Sequence, residues 1–473
     1  MGAIAGIFTR ETDNTKQLLE DMLTAMRHRG SQMRASVTGT PDGCMIGIGY
    51  CDHQNPDPHV AESSGDILAV DGTLFREPKR TQAEYILGTL TTKSSLRLTA
   101  SNLMNEPGIF SVLYSHRSHL YAFRDPTGFK PLFCARNRRL VAYASERKAL
   151  WKIGLMNVQR VLPSLLLAAG PRTVSKSILP HFSRTSSDKT LTMSTAAIRL
   201  KELLEESIRR LTRFESKVAV AFSGGLDSSL TAVLAKQIGV PVELIAVGLK
   251  NSSESMSAET YAKQLDLPLS LQIFDPSSLD AYVRRLIWLI EEPNLMKVSI
   301  AIPLHWAAEA AAKRGHKVML CGQGSDELYG GYAKYARTLD RLGRRALESE
   351  LYRSVTQSYI VNFERDDQAT APSGVELRTP FTDPDVIRFS LRIPSELKVK
   401  SGDDIMRKWI LRTVGQDIGL ASEITWRRKK AIQHGTGVEH AILKMAKNKG
   451  LTADAYLEQV YAEVKGIDSI PQL

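Results

Sequence analysis

The sequence predicts two domains of different class: an α+β sandwich over residues 1–182 and an α/β domain with a parallel sheet and a helical C-terminal part over residues 195–473. Three observations carry this reading. Short apolar runs broken by turn residues fill the first part, strands alternate with helical periodicity in the second, and the segment 183–194, SRTSSDKTLTMS, between them is polar and reads as a linker. A chain of 473 residues exceeds one compact core, and 43% hydrophobic with 24% charged residues excludes a disordered or fibrous protein.

In the first part, Ala3-Phe8, Ile67-Val70, Phe110-Tyr114, Leu120-Phe123 and Leu140-Tyr143 read as strands, with helices near Thr15-Arg27 and Gln82-Leu90. After the linker, Thr195 or Ser194 is placed to cap a helix whose Ile198, Leu204, Ile208 and Leu211 fall at helical spacing. A strand at Lys217-Phe222, a glycine turn and a helix to Gln237 follow. Then come a strand at Glu243-Val247, helices near Ser257-Leu265, Leu279-Glu291 and Pro303-Arg314, and a strand at Lys317-Cys321. Strands separated by helices imply right-handed crossovers and a parallel sheet covered on both faces. The tail from Asp383 reads as helices packed on that sheet.

Several classes are excluded or disfavoured. No run approaches the ~18 apolar residues of a membrane helix. The start, MGAIAGIFTR, lacks the layout of a secretory signal, and Gly6 stands where myristoylation needs Ser or Thr, so a soluble cytoplasmic protein is expected. Cys44, Cys51, Cys134 and Cys321 form no CxxC pair, which argues against a disulfide framework or a cysteine-rich zinc site. The net charge of +11 suits polyanionic partners, but Arg209-Arg210, Arg284-Arg285 and Arg344-Arg345 lie in helical segments and read as solvated faces. Without a recognition module, nucleic-acid binding is a minority reading.

The most informative segment is Val218-Ala-Val-Ala-Phe-Ser223-Gly224-Gly225-Leu226-Asp227-Ser228-Ser229. A strand enters a loop of glycines and serines and a helix starts at once, so free N–H groups and the positive end of the helix dipole face one point. That is a phosphate cradle, though not the GxxxxGK[ST] loop. Asp227 would repel a phosphate, and a magnesium ion between them resolves the conflict. The loop Ser223–Ser229 resembles the pyrophosphate loop of ATP pyrophosphatases, which implies adenylation of a substrate with release of pyrophosphate.

A second acidic loop, Cys321-Gly322-Gln323-Gly324-Ser325-Asp326-Glu327-Leu328-Tyr329-Gly330-Gly331-Tyr332, also follows a strand. In a parallel sheet both loops belong at the carboxyl edge, where Asp326 can share the magnesium with Asp227. Gly322 and Gln323 then join the ATP site, Val247 and Gly248 at a third strand end offer a rest for adenine, and Glu327 is expected to cap a helix or pair with a basic neighbour. Glu291 and Glu292 read as a solvated helix end.

These segments resemble the asparagine synthetase family, including β-lactam synthetase. GQGSDELYGGY is similar to GxGxDExFGGY, Val375-Glu376-Leu377-Arg378-Thr379-Pro380-Phe381-Thr382-Asp383 to ExRxPFLD, and Trp426-Arg427-Arg428-Lys429-Lys430 with Gly435-Thr436-Gly437 to WRxK…GxG. The resemblance implies an adenine-nucleotide α-hydrolase-like second domain and a catalytic role for Lys429, whose ammonium would stabilise the negative charge that builds during adenylation. Arg427, Arg428 and Lys430 are given no role. Gln323 departs from the glutamate found in many asparagine synthetases.

The first domain resembles the family's N-terminal-nucleophile glutaminase through Ala3-Phe8, His28-Arg29-Gly30, Val70-Asp71-Gly72, Arg124-Leu132 and Ala144-Ser145-Glu146. In the active enzymes, removal of Met1 exposes a cysteine; here Gly2 has no nucleophilic atom. Asp71 replaces the oxyanion-supporting asparagine, and Gln82 replaces an aspartate that holds the glutamine amine. An inactive glutaminase follows.

The expected function is an ATP- and Mg²⁺-dependent ligase that adenylates a small carboxylic acid and passes the acyl group to ammonia or another amine, without glutamine. The resemblance makes asparagine formation the default. Its alternatives are intramolecular amide or macrocycle formation of β-lactam-synthetase type, and an RNA-modifying adenylase. A homodimer is left open.

Overall fold

The computed structural model describes residues 2–11, 14–53, 59–76, 81–91, 95–429 and 432–473; Met1 and Lys430, named above, lie outside the described residues. The chain forms two compact units, Met1–His181 with Lys465–Ile470, and Phe182–Val464 with Pro471–Leu473.

The first unit contains β1 (Gly2–Thr9), β2 (Gln32–Gly39), β3 (Met45–Asp52), β4 (Val60–Ser63), β5 (Asp66–Leu74), β6 (Gly108–His116), β7 (His119–Arg124), β8 (Phe133–Arg136), β9 (Leu140–Ala144), β10 (Gln159–Arg160), β11 (Leu165–Ala169) and β12 (Val174–Ile178). They make two antiparallel six-stranded sheets, β10-β8-β9-β1-β3-β2 and β12-β11-β7-β6-β5-β4. The alternation in β1 shows how layers arise from sequence. Ile4 and Phe8 point to the other sheet and pack with Leu113, Leu120 and Leu167. Ala3, Ala5 and Ile7 point outward, where their small size admits the helix Thr15–Ala25 through Leu19, Met22 and Leu23. The helices Gln82–Thr91 and Leu96–Leu103 cover the second sheet through Ile86, Leu90 and Leu103. The layers are helix, sheet, sheet, helix. The helix Leu96–Leu103 was not anticipated; its stripe is broken by Arg97 and Asn102.

The second unit is built on β13 (Val218–Ala221), β14 (Val242–Leu249), β15 (Leu269–Phe274), β16 (Val318–Leu320) and β17 (Glu376–Arg378). All pair in parallel in the order β15-β14-β13-β16-β17. The chain leaves β13 toward β14 on one side and returns to β16 on the other, so the loops after β13 and β16 flank a switch in direction. The helix Met193–Thr212 buries Ala197, Leu200, Leu204, Ile208 and Leu211 and packs on the helices Leu226–Gln237, Pro384–Arg392 and Trp409–Asp417. Its cap is Thr192, in a reciprocal box with Thr195, rather than Thr195 or Ser194. Ile198, expected in the core stripe, is 55% exposed because it sits about a quarter turn off that stripe. A further helix runs Leu295–Lys313 straight through Pro303, which was expected to start it. The lost hydrogen bond is offset by near-complete burial of the apolar residues around it. Glu291 is buried at a left-handed helix end, not solvated, while Glu292 pairs with Lys297 at 2.5 Å. Arg210, expected on a solvated face, is half-buried and bonds Asp383 and Asp385 at 3.0 Å each.

Candidate active site

The loop after β13 is held in shape by its own serines. Ser228 Oγ donates to the Gly225 carbonyl at 3.2 Å and lies 3.3 Å from Ser223 Oγ, which accepts from the Gly225 N–H at 3.3 Å. Gly225 caps the helix Leu226–Gln237 with no side-chain bond, which leaves the first N–H groups of that helix to an anion. Gly224 takes φ +63°, and a Cβ there would meet the Tyr261 ring and Arg427, so no larger residue fits. Ser229 is fully buried on the helix, with its hydroxyl unpartnered.

The loop after β16 lies beside it. A Cβ on Gly322 would meet the Asp227 side chain, so the two loops pack backbone to side chain. Lys408 Nζ lies 2.6 Å from Asp227 Oδ2, 2.5 Å from Asp326 Oδ1 and 3.1 Å from Ser325 Oγ. The two carboxylate oxygens therefore lie within about 5 Å of each other, around one ammonium. Lys429 Nζ reaches Asp326 Oδ2 at 2.8 Å. Burial pushes the Asp326 carboxyl up, but Lys408 and then Lys429 outweigh it and hold it below the usual carboxylate range. Burial lowers the Lys429 ammonium, but Asp326 and Asp227 more than offset that and hold it above the usual lysine range. The Asp326 carboxylate and the Lys429 ammonium are both charged at neutral pH.

Gly331 explains the second glycine of GGY: a Cβ there would overlap Asp326 Oδ1 and Lys408 Cε. Arg407 and Lys408 both sit in the left-handed region, at φ 53° and 54°. Such strain in non-glycine residues persists only where the surroundings impose it. They do here: Arg412, buried, donates to the carbonyls of Met406, Arg407, Thr425 and Arg427, clamping the Lys408 turn to the WRRKK segment.

The cleft of about 40 Å³ is lined by Ser223, Gly225, Leu226, Asp227, Lys408, Arg412, Arg427, Arg428 and Lys429. That volume is smaller than a nucleotide. Arg427 accounts for the closure, since its guanidinium donates to the Gly224 carbonyl at 2.8 Å and lies 4.8 Å over the Tyr261 ring.

Other expected residues fall outside this cleft. Val247 and Gly248 are buried at the end of β14, where the Leu249 N–H donates to the Thr436 carbonyl at 3.0 Å. Gln323 donates from Nε2 to Asp366 at 2.7 Å, and Arg365 holds the other Asp366 oxygen at 2.7 Å. Glu327 neither caps a helix nor pairs with a base; it accepts from Tyr332 and Asn362 at 2.7 Å each. Lys408, Arg412 and the contact role of Arg427 were missed. Arg407-Lys408 directly before an amphipathic helix was the available signal, and it lacks any glycine punctuation.

In the first unit, a Cβ on Gly2 would overlap Tyr50 Oη and the Cys51 carbonyl oxygen. Arg29 donates to the Gly2 carbonyl at 2.7 Å, and Gln82 Oε1 is taken by the Leu74 N–H at 3.0 Å.

Among the described residues, no group of three or more His, Cys, Asp or Glu side chains gathers around one point. Asp227 Oδ1 is nonetheless buried without a hydrogen-bond partner, an oxygen that fits a hard cation completed by phosphate oxygens.

Paired acidic loops and lysines meet at the carboxyl edge of a parallel sheet, the edge at which α/β proteins gather their ligands. Comparison with known proteins narrows this. Residues 199–346 and 336–463 match the asparagine synthase family. The chain is 34% identical over 388 residues to a Methanocaldococcus jannaschii protein provisionally named a glutamine-hydrolyzing asparagine synthetase, covering 72% of this chain and 71% of that one. It is 24% identical over 478 residues to glutamine-hydrolyzing asparagine synthetase B of Escherichia coli strain K12, covering 92% and 83%. A solved structure titled as the allosteric regulatory enzyme of purine biosynthesis aligns at TM-score 0.35 and 13% identity over 58% of this chain and 80% of that one, a likeness that carries no argument. The chain belongs to the asparagine synthase family, a family of ATP-dependent carbon–nitrogen ligases that form AMP and pyrophosphate. No helix among the described residues is long and apolar enough to cross a membrane.

Proposed function

We propose that the protein activates a small carboxylic acid as its acyl-adenylate and passes the acyl group to ammonia or another amine that is not drawn from glutamine. The observation that carries the first half is the meeting of Asp227, Asp326, Lys408 and Lys429 beside the serine-glycine loop. In this reading the substrate carboxylate attacks the α-phosphate of ATP, and the loop Ser223–Ser229 receives the departing pyrophosphate. Lys429 and Lys408 stabilise the charge that develops on the phosphate and then on the oxygen of the tetrahedral intermediate. Asp227 and Asp326 would hold magnesium, which when bound offsets phosphate charge. Val247 and Gly248 are proposed to face adenine once Arg427 has moved, and the Gly322-Gln323 backbone to border the phosphates.

Independence from glutamine rests on Gly2, which supplies no thiol, and on Tyr50, which fills the space a side chain at that position would need. Aspartate with ammonium is the first substrate pair to try, and an acid carrying its own amine is the second. The test is pyrophosphate exchange into ATP against a panel of carboxylic acids, followed by mass analysis of products formed with ammonium or with glutamine. Exchange with at least one acid, and amide from ammonium but not from glutamine, is expected. Absence of acid-dependent exchange overturns the ligase reading; equal product from glutamine overturns the nitrogen-source reading alone.

A further inference from the structure

Away from the cleft, the second unit holds a small pocket whose chemistry the ligase reaction does not use. The extended segment after Phe182 forms its roof. That segment is pinned by Tyr352 Oη to the Phe182 carbonyl at 2.9 Å, by Arg184 to Ser349 Oγ at 2.7 Å, and by Arg392 to Asp188 at 2.7 Å. Beneath it lies a cavity of about 30 Å³ whose charged lining is Arg184, Glu348 and Lys398, with Ser395 among the hydroxyls that complete it. This is room for a small ion and not for a nucleotide.

Two groups at the base are unusual. Lys398 is 3% exposed, and no carboxylate among the described residues lies within 4 Å of its Nζ. Its one hydrogen bond goes to the Ser390 carbonyl at 2.6 Å, which leaves two of three ammonium donors unspent. Ser395 is 1% exposed, and its Oγ has no hydrogen-bond partner. An unpaired buried cation beside an unsatisfied buried hydroxyl is costly unless something enters to satisfy both. Arg184 adds a second cation at the exposed mouth, bonded only to a neutral hydroxyl.

We infer that this pocket binds a small oxyanion, with Lys398 Nζ and Ser395 Oγ donating at its base and Arg184 closing over it from the roof. Glu348, on the helix Arg344–Thr356, faces the same space and opposes the anion, so it sets an upper limit on the charge the site accepts. Tetrahedral phosphate or sulfate and planar carboxylates share the required chemistry. The charged groups around the pocket are Lys398, Glu348 and Arg184 alone among its lining residues. Burial pulls the Lys398 ammonium down to about 7, and Glu348 only partly offsets this. Anion binding therefore takes up a proton on Lys398, and affinity falls as pH rises above neutrality.

The experiment measures the unfolding midpoint of the full chain against sodium sulfate and sodium formate, with sodium chloride at matched ionic strength, at pH 6.5 and 8.5. Sulfate binding in the catalytic cleft and general salting effects are common to every variant and cancel in the comparison. Wild type should gain more from an oxyanion at pH 6.5 than at 8.5. Ser395→Ala should weaken the apparent affinity several-fold, Glu348→Gln should tighten it, and Lys398→Met should abolish the pH-dependent part. A response to sulfate but not formate identifies a tetrahedral ligand, and the reverse identifies a carboxylate. Should Lys398→Met fail to fold, the opposite shifts of Ser395→Ala and Glu348→Gln decide the matter. Identical oxyanion responses in wild type, Ser395→Ala and Glu348→Gln overturn the inference, and this outcome is independent of whether any acid supports pyrophosphate exchange.

Discussion

Each unit buries a knot of charge, and the two knots differ in access to a cleft and in the backbone that carries them. Around Gly2, Arg29 meets Glu146 at 3.1 Å and Asp71 at 3.6 Å, Lys130 reaches Asp71 at 3.7 Å, and Lys148 reaches Glu146 at 2.7 Å. Each carboxylate there is paired with two cations, and Tyr50 and Cys51 pack beside Gly2. Around the phosphate loop, Lys408, Lys429, Arg412 and Arg427 outnumber Asp227 and Asp326. That knot faces a cleft and rests on left-handed backbone at Arg407 and Lys408. Cations outnumber carboxylates in both knots, so buried charge and its sign do not set the second apart; access to a cleft and imposed backbone strain do.

The comparison is broken most directly at Lys408. Lys408→Met removes the ammonium shared by Asp227 and Asp326 and leaves two carboxylates within about 5 Å to repel each other. Pyrophosphate exchange should fall about 10²–10³-fold, as it should for Lys429→Met. Unchanged exchange in both variants would show that the charged cleft takes no part in the reaction. Gly331→Ala tests the same point sterically. Its Cβ would overlap Asp326 Oδ1 and Lys408 Cε, so exchange should drop with a stability loss of about 1–3 kcal/mol in denaturant titration.

The two knots should also respond differently to acid. His28 is buried against Glu146 at 3.0 Å, and burial, opposed in part by Glu146, lowers it from 6.5 to about 4. The unfolded chain therefore binds the proton first. The contribution is present above pH 6.5 and is lost as pH falls toward 4, up to about 3 kcal/mol. The Asp326 carboxyl, held low by its lysines, keeps its charge over that window. Proteolysis at stepped pH should release the first unit before the second, and His28→Gln should flatten the first unit's pH dependence.

How much of this was legible beforehand follows the same division. The cleft's loop, its two aspartates and Lys429 were readable because glycine, serine and acid at strand ends leave a local pattern. Lys408 and Arg412 were not, since their importance comes from a turn folded back across 181 positions onto Asp227. Pro303 misled because burial outweighed a local rule, and Ile198 because one apolar residue off the stripe looks like one on it. In the first unit, Gly2 was readable but Tyr50 was not; nothing in sequence reveals which side chain packs against Gly2. The Gln323 departure gained a physical account only from Asp366. Gln323→Glu would set two carboxylates where 2.7 Å now separates amide from acid. Burial already pushes the Asp366 carboxyl up, so the added charge should cost about tenfold in exchange, recovered when Asp366→Asn is added.

The smallest expected effect is the sharpest test of the difference between the units. Gly2→Cys restores the atom that a glutaminase needs, yet it should release no glutamate from glutamine above background. A side chain at that position would overlap Tyr50 Oη and the Cys51 carbonyl oxygen, and Asp71 would put a carboxylate where an oxyanion needs a donor. Acid-dependent pyrophosphate exchange in the same variant reports whether the second unit is intact. Adding Tyr50→Ala opens space without removing Asp71, so glutamine hydrolysis should still be absent, and only further addition of Asp71→Asn should raise it. Glutamate release from Gly2→Cys alone would mean that the pocket around Gly2 is not closed, and that the two knots differ by a single residue and not by the packing and charge around it.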